Sequence, residues 1–220
     1  MVSSATAVAA LTTALRDRIL NGEFAPGTRL VERALVESYD VARVTVRSAL
    51  QRLAAEGLVT IASHRGARVA ALDTKELHNL FALRTALEVE AARIALAERP
   101  QELDAELGDA VAALTRVCRA KRVLWRRVVG AHEEVHRALV DAADSSRISA
   151  VHRSLAGELR LFVVALRPVW SPDEMVTHHV KLHRELQIDG PEAVRRHLNE
   201  GEHSVAGAGR GGDSSGSGGG

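Results

Sequence analysis

Apolar positions in the first third of the chain keep a helical rhythm and then switch to a strand-like one. Val8, Leu11, Leu15, Ile19 and Leu20 predict a helix over residues 5–21. Asn21-Gly22 ends it, because both residues tolerate positive φ. Pro26-Gly27 predicts a turn. A short helix follows over about 31–38 with Ala34 and Leu35 inward, then a tight connection through Tyr39, Asp40 and Val41. The next helix, about 42–56, buries Val46, Ala49, Leu50 and Leu53 and has Gly57 where a C-terminal cap glycine belongs. Two short β-like runs, 58–61 and 68–71, flank a polar tip and predict a hairpin. Short helix, tight turn, second helix and hairpin describe a winged helix-turn-helix over residues 5–71.

From Asp73 onward the pattern is helical only. Asp73 can cap a long helix through about Glu98, in which Leu77, Leu80, Phe81, Leu87 and Ile94 recur at helical spacing, and Pro100 breaks it. Further helices are predicted over about 101–118, 122–143, 147–167, 172–188 and 191–204, punctuated by Pro168, Pro172 and Gly190-Pro191. The fold class is therefore mostly α: an N-terminal winged helix-turn-helix and a C-terminal all-α bundle over 73–204. The Gly/Ser-rich tail, 206–220, is expected to be disordered.

Composition agrees. Aromatics are 3% of 220 residues, so Ala, Leu and Val must fill the core, which suits close-packed helices. The net charge is +1 but uneven: residues 1–71 hold nine Arg, no Lys and six acidic residues, a basic first third that suggests a local anion-binding surface. One cysteine, Cys118, sits among apolar residues and reads as packing. No run approaches the ~18 apolar residues of a membrane span, and no signal peptide is visible, so no membrane partner and a cytoplasmic location are expected.

A recognition helix sets its first turn against base edges in the major groove. Here that turn holds Arg43, Val44 and Thr45, with Arg47 one turn on. Arg pairs bidentately with guanine, and Thr can serve bases or phosphates. Val44, Arg47, Ser48 and Gln51 face away from the apolar stripe, Arg33 can touch phosphate from the preceding helix, and His64 and Arg65 occupy the wing tip.

These residues resemble the winged-helix domain of the GntR-type bacterial transcription regulators. The likeness is carried by Ile19-Leu20-Asn21-Gly22, Pro26-Gly27-Thr28-Arg29-Leu30 and the run from Val41 to Leu50, then Leu53, Glu56-Gly57-Leu58-Val59, Gly66 and Val69. The resemblance implies that Arg33, Arg43, Thr45 and Arg47 contact operator DNA and that Gly66 lets the wing approach it. Two positions depart from the family. Ala42 stands where a Ser or Thr would cap the recognition helix, a loss of ~1 kcal/mol. Val44 offers only apolar contact, for example to a thymine methyl.

The second constellation is made of histidines. His132 and His136 lie one turn apart on a predicted helix, with His179 and His197 on later ones. Neutral imidazoles would favour zinc, nickel or copper over magnesium or calcium. His132-Glu133-Glu134-Val135-His136 also matches the H-E-x-x-H helix of zinc proteases, in which the Glu is the general base, so a zinc metallohydrolase is an alternative. A chance i,i+4 pair among ten histidines is the plainest reading.

Residues 73–204 also resemble the FCD effector domain of the FadR-like branch. Leu83 to Ala92 is similar to its opening helix, and His136 to Ala143 to a later characteristic segment. That likeness implies a divalent metal held by His136, His179 and His197, with His132 in place of the family's Asp, and His178 and His183 as alternatives to His179. It further implies a small metabolite, a carboxylate, bound beside the metal, with Arg84 as its partner and Arg160 a weaker candidate. Arg84 could instead simply pair with Glu88. The expected protein is a homodimer on a palindromic double-stranded operator, a repressor released by its ligand, with zinc or nickel as cofactor. A DNA-binding protein that ignores ligands is a further alternative.

Overall fold

The structure is a computed structural model that describes residues 4–62 and 66–210. Helix α1, Ser4–Leu20, buries Leu11, Leu15 and Ile19 and stops at Gly22, whose φ of +73° is left-handed. Strand β1 is the two-residue Arg29–Leu30. Helices α2, Glu32–Tyr39, and α3, Arg43–Ala55, are joined through Asp40, also left-handed. Strands β2, Val59–Ala62, and β3, Gly66–Val69, complete the wing.

The wing has three antiparallel strands in the order β1-β3-β2, with Arg29 opposite Arg68 and Val59 opposite Val69. The third strand, β1, corrects the two-stranded expectation; two residues carry no readable alternation. The expected wing-tip residues His64 and Arg65 lie outside the described residues.

Helix α3 begins on Ala42 with no side-chain cap, as the sequence implied. It ends in a Schellman arrangement: the Leu58 N–H donates to the Leu53 carbonyl and the Gly57 N–H to the Ala54 carbonyl, both at 3.0 Å. Gly57, at φ +74°, is the left-handed residue this turn requires.

The bundle holds α4, Thr74–Glu98; α5, Pro100–Cys118; α6, Trp125–Asp141; α7, Ser146–Ser154; α8, Ala156–Leu166; α9, Pro172–Asp189; and α10, Pro191–Arg210. Asp73 and Glu76 form a reciprocal capping box at the start of α4, and Ser171 and Glu174 another at α9. The helix expected over 147–167 is broken at Leu155 into α7 and α8. Residues 206–210, expected in the tail, continue α10; the remainder lies outside the described residues. Among the described residues no helix is long and apolar enough to cross a membrane.

The apolar cores of the winged head and the bundle are continuous. Asn21 ties the junction: its side-chain oxygen accepts from the Arg126 N–H at 3.1 Å and its carbonyl from Arg167. Cys118 is buried, and burial pushes its thiol up to about 11, so it behaves as a small hydrophobe.

Candidate nucleic-acid interface and metal centre

The start of α3 presents an exposed cationic surface. Val44 is 65% exposed, and the Arg43 and Arg47 side chains project beside it. Both converge on Glu32 of α2, which accepts from Arg47 Nε at 3.0 Å and lies 3.9 Å from Arg43. Arg33 is exposed and pairs with Glu37 at 3.3 Å. Gly66 opens β3 at φ +76° with free space around the position of a Cβ. Thr45, read from the sequence as a contact residue, is buried beside Val46, because position 45 falls on the inward side of α3.

Glu32 holds a negative charge on the face that would meet phosphates, and it restrains two arginines. Glu32→Gln is expected to tighten non-specific duplex binding roughly two- to fivefold at low salt, read by fluorescence anisotropy on a random-sequence duplex. Equal affinities would show that the arginines do not depend on Glu32.

The second site lies inside the bundle. α6 supplies His132 and His136, α9 His179 and α10 His197, and all four are buried. Their rings form one cluster: His132 to His136 is 4.6 Å between centroids, His132 to His179 4.8 Å, His179 to His197 4.8 Å and His136 to His197 5.3 Å. His178 stacks on His197 at 4.0 Å. His183, expected as another alternative, points elsewhere and bonds Asp104 at 2.8 Å.

Burial, reinforced by the neighbouring cations and imidazoles, holds the histidines neutral. His136 and His178 fall to about 4, and His132, His179 and His197 lie well below the ordinary value. Neutral imidazole is the metal-binding form. Two tautomers are fixed by outer partners. His136 Nδ1 donates to the Glu88 carboxylate at 2.8 Å, and His179 Nδ1 to the Met175 carbonyl at 2.7 Å. Both Nε2 atoms therefore keep their lone pairs, and both are buried with no partner among the described residues. One ligand nitrogen from each of His132, His136 and His179 lies within 4.8 Å of the others. Paired outer acceptors and unused inner nitrogens are what a metal-binding histidine set requires, so these residues fit a divalent ion.

Glu88 is the residue that sequence reasoning undervalued. It is 0% exposed on α4 and accepts from Arg84 Nε at 2.7 Å, His136 at 2.8 Å and His152 Nε2 at 3.0 Å. Burial pushes its carboxyl up, but Arg84 and then His136 outweigh this and hold it well below the usual carboxylate range. Glu88 could have been suspected from an Arg-x-x-x-Glu pair on the buried stripe of a helix, since buried charges must pair. No spacing pointed to His152.

Arg84 is 1% exposed; its Nε binds Glu88, the pairing the sequence allowed, while Nη2 is buried without a partner among the described residues. It lines a cavity of about 30 Å³ with His132, His136, His152 and Arg160. Arg160 grips Glu133 through two bonds of 2.8 and 2.9 Å, so the Glu of the H-E-x-x-H match is already engaged.

The profile of the bacterial regulatory proteins of the gntR family matches residues 8–69, and that of the FCD domain matches residues 79–200. The chain is 32% identical over 136 residues to the HTH-type transcriptional regulator BphR of Paraburkholderia xenovorans (strain LB400), covering 60% of this chain and 56% of that one. It thus spans little more than half the length of that relative. It is 29% identical over 155 residues to the HTH-type transcriptional repressor GlaR of Escherichia coli (strain K12), covering 70% and 68%. The crystal structure of a GntR transcriptional regulator from Rhodococcus sp. RHA1 superposes with a TM-score of 0.69 at 25% identity, covering 91% of this chain and 98% of that one. These families and relatives are transcription regulators and not enzymes, which sets aside the metallohydrolase alternative.

Proposed function

The chain belongs to the gntR family of bacterial regulatory proteins and carries an FCD domain, and from that premise we propose that it is a homodimeric, cytoplasmic repressor whose hold on a palindromic operator is set by a carboxylate metabolite. The reading head is residues 5–71 and the effector domain residues 73–204. Arg43, Val44 and Arg47 read bases; Arg33 and the wing at Gly66 and His64 meet the backbone. Thr45 contributes by packing the recognition helix. His132, His136, His179 and His197 hold zinc or nickel. That ion, when bound, supplies an open coordination position for one oxygen of an acid.

One observation carries the effector reading. Arg84 Nη2 and the His136 Nε2 are both buried and unpartnered among the described residues, and both residues line one cavity. An unpaired buried guanidinium N–H costs free energy that a carboxylate oxygen would recover in a charge-assisted bond. Ligand then shifts the balance between two placements of the paired heads, typically by ~1–3 kcal/mol of differential binding.

Selection of duplexes from a random library by the purified protein at ~150 mM salt should enrich a palindrome. On that operator the Arg43→Ala/Arg47→Ala double variant should lose at least about 30-fold in affinity, since each bidentate arginine contact is worth ~1–3 kcal/mol. Unchanged affinity would overturn the assignment of the reading face.

A further inference from the structure

Four buried side-chain polar atoms lack a partner among the described residues: Arg84 Nη2, His136 Nε2, His179 Nε2 and His178 Nδ1. His178 stands apart, because nothing in the reading above gives it a task. Its surroundings repeat those of His136. The outer nitrogen, Nε2, lies 3.1 Å from Glu200 Oε2, and Glu200 is held by Lys181 Nζ at 2.8 Å. An ionised carboxylate only accepts, so Nε2 carries the proton and Nδ1 the lone pair. Glu200 is kept below its usual range despite partial burial, with Lys181 and His178 as the opposing causes.

The His178 ring stands against the cluster. Consecutive residues of a helix lie about 100° apart, so His178 and His179 can serve one centre only if it sits over the groove between them. His197 of α10 fills that groove, with its ring 4.0 Å from His178 and 4.8 Å from His179. One ligand nitrogen from each of His178, His179 and His197 lies within 4.8 Å of the others. Nitrogens bound to one zinc ion at about 2.0–2.1 Å stand roughly 3–3.4 Å apart, so ring rotation would have to draw the three nitrogens inward from the 4.8 Å they span. His179 belongs to this triad and to the one with His132 and His136. Trp170 packs on His178 at 4.5 Å and shields it from solvent.

We infer that His178 is a metal ligand, held in its binding tautomer by Glu200 and Lys181, and that the centre is built from five imidazoles with His179 at their middle. This rests on the metal reading proposed above. With no carboxylate of the chain on the ion, its full charge is left for the acid it recruits, and borderline metals are favoured over magnesium or manganese.

The test is zinc affinity of the full-length protein in competition with a chromophoric chelator, together with the visible absorption of the cobalt(II) form. His178→Gln should weaken zinc at least tenfold and change the cobalt spectrum. Glu200→Gln, a half-exposed change that spares the core, should weaken zinc about tenfold, as outer partners of ligating histidines do. The inference is overturned if both variants bind zinc and colour cobalt like the native chain while His179→Ala loses metal; the centre would then be the four-histidine one. If the native chain binds neither ion, or His179→Ala binds as well as native, the metal reading itself fails and this inference with it.

Discussion

Gly157→Ala should loosen the junction between reading head and bundle and blunt the response of DNA binding to ligand. Gly157, in the first turn of α8, packs backbone to backbone against the end of the recognition helix. An added methyl would lie inside the van der Waals shell of the Glu56 carbonyl oxygen and 2.9 Å from the Gly57 Cα. Those are main-chain atoms of a closed Schellman turn, so they cannot swing aside as a side chain would. Either α8 or the head must shift. Overpacking of this kind typically costs 1–3 kcal/mol, and in a chain of this length each kcal/mol lowers Tm by roughly 2–4 °C. The functional effect follows from what else α8 carries. Ala156, Leu159, Arg160 and Val163 line the cavity beside Arg84, while Gly157 abuts α3. One helix therefore touches both the cavity beside Arg84 and the end of the recognition helix. In calorimetry and operator anisotropy, the alanine variant should melt lower and bind DNA with a reduced dependence on zinc and on added dicarboxylic acids. A variant with native Tm and native ligand response would remove α8 as the connecting element.

The same contact shows what a single sequence reveals and what it hides. Gly57 was legible as a helix stop, because a cap glycine answers to local backbone geometry. Gly157 was not, because its reason is a backbone one hundred residues away. The break at Leu155 was missed because 147–167 keeps an unbroken helical rhythm, with no Gly or Pro at the position where α7 ends and α8 begins. Asp73 and Glu76 announced the start of α4, since a capping box is written in four consecutive residues. The pair His132 and His136 was legible by one-turn spacing, and the family likeness supplied His179 and His197. His178 was legible only as an alternative to His179, because i and i+1 on a helix are read as diverging until His197 of a third helix is seen against both rings. Thr45 was read as a contact from its place in the first turn of the recognition helix and from the family likeness, and neither signal shows that its side chain is largely buried.

Glu88→Ala should be the most destabilising single change near the centre. It strips a fully buried carboxylate from three partners at once. Arg84, 1% exposed, would keep its charge with no counter-ion, and the His136 Nδ1–H would lose its acceptor. Breaking a buried pair from one side costs about 3–5 kcal/mol, a fall in Tm on the order of 10 °C. Glu88→Gln keeps the shape and one acceptor oxygen, so it should cost less but still lower zinc affinity, because His136 then lacks a charged partner to fix its tautomer. The informative variant removes both charges. Arg84→Met/Glu88→Leu should recover most of the stability lost by Glu88→Ala, since an apolar replacement of a buried ion pair is often neutral or better. It should nonetheless bind zinc at least tenfold more weakly and lose any response to carboxylates. A double variant that regains stability and keeps the native response would mean that Arg84 and Glu88 serve the fold alone. Regained stability with the response gone would mean that the chain bears the cost of two buried charges to keep one histidine and one guanidinium aimed at the same cavity.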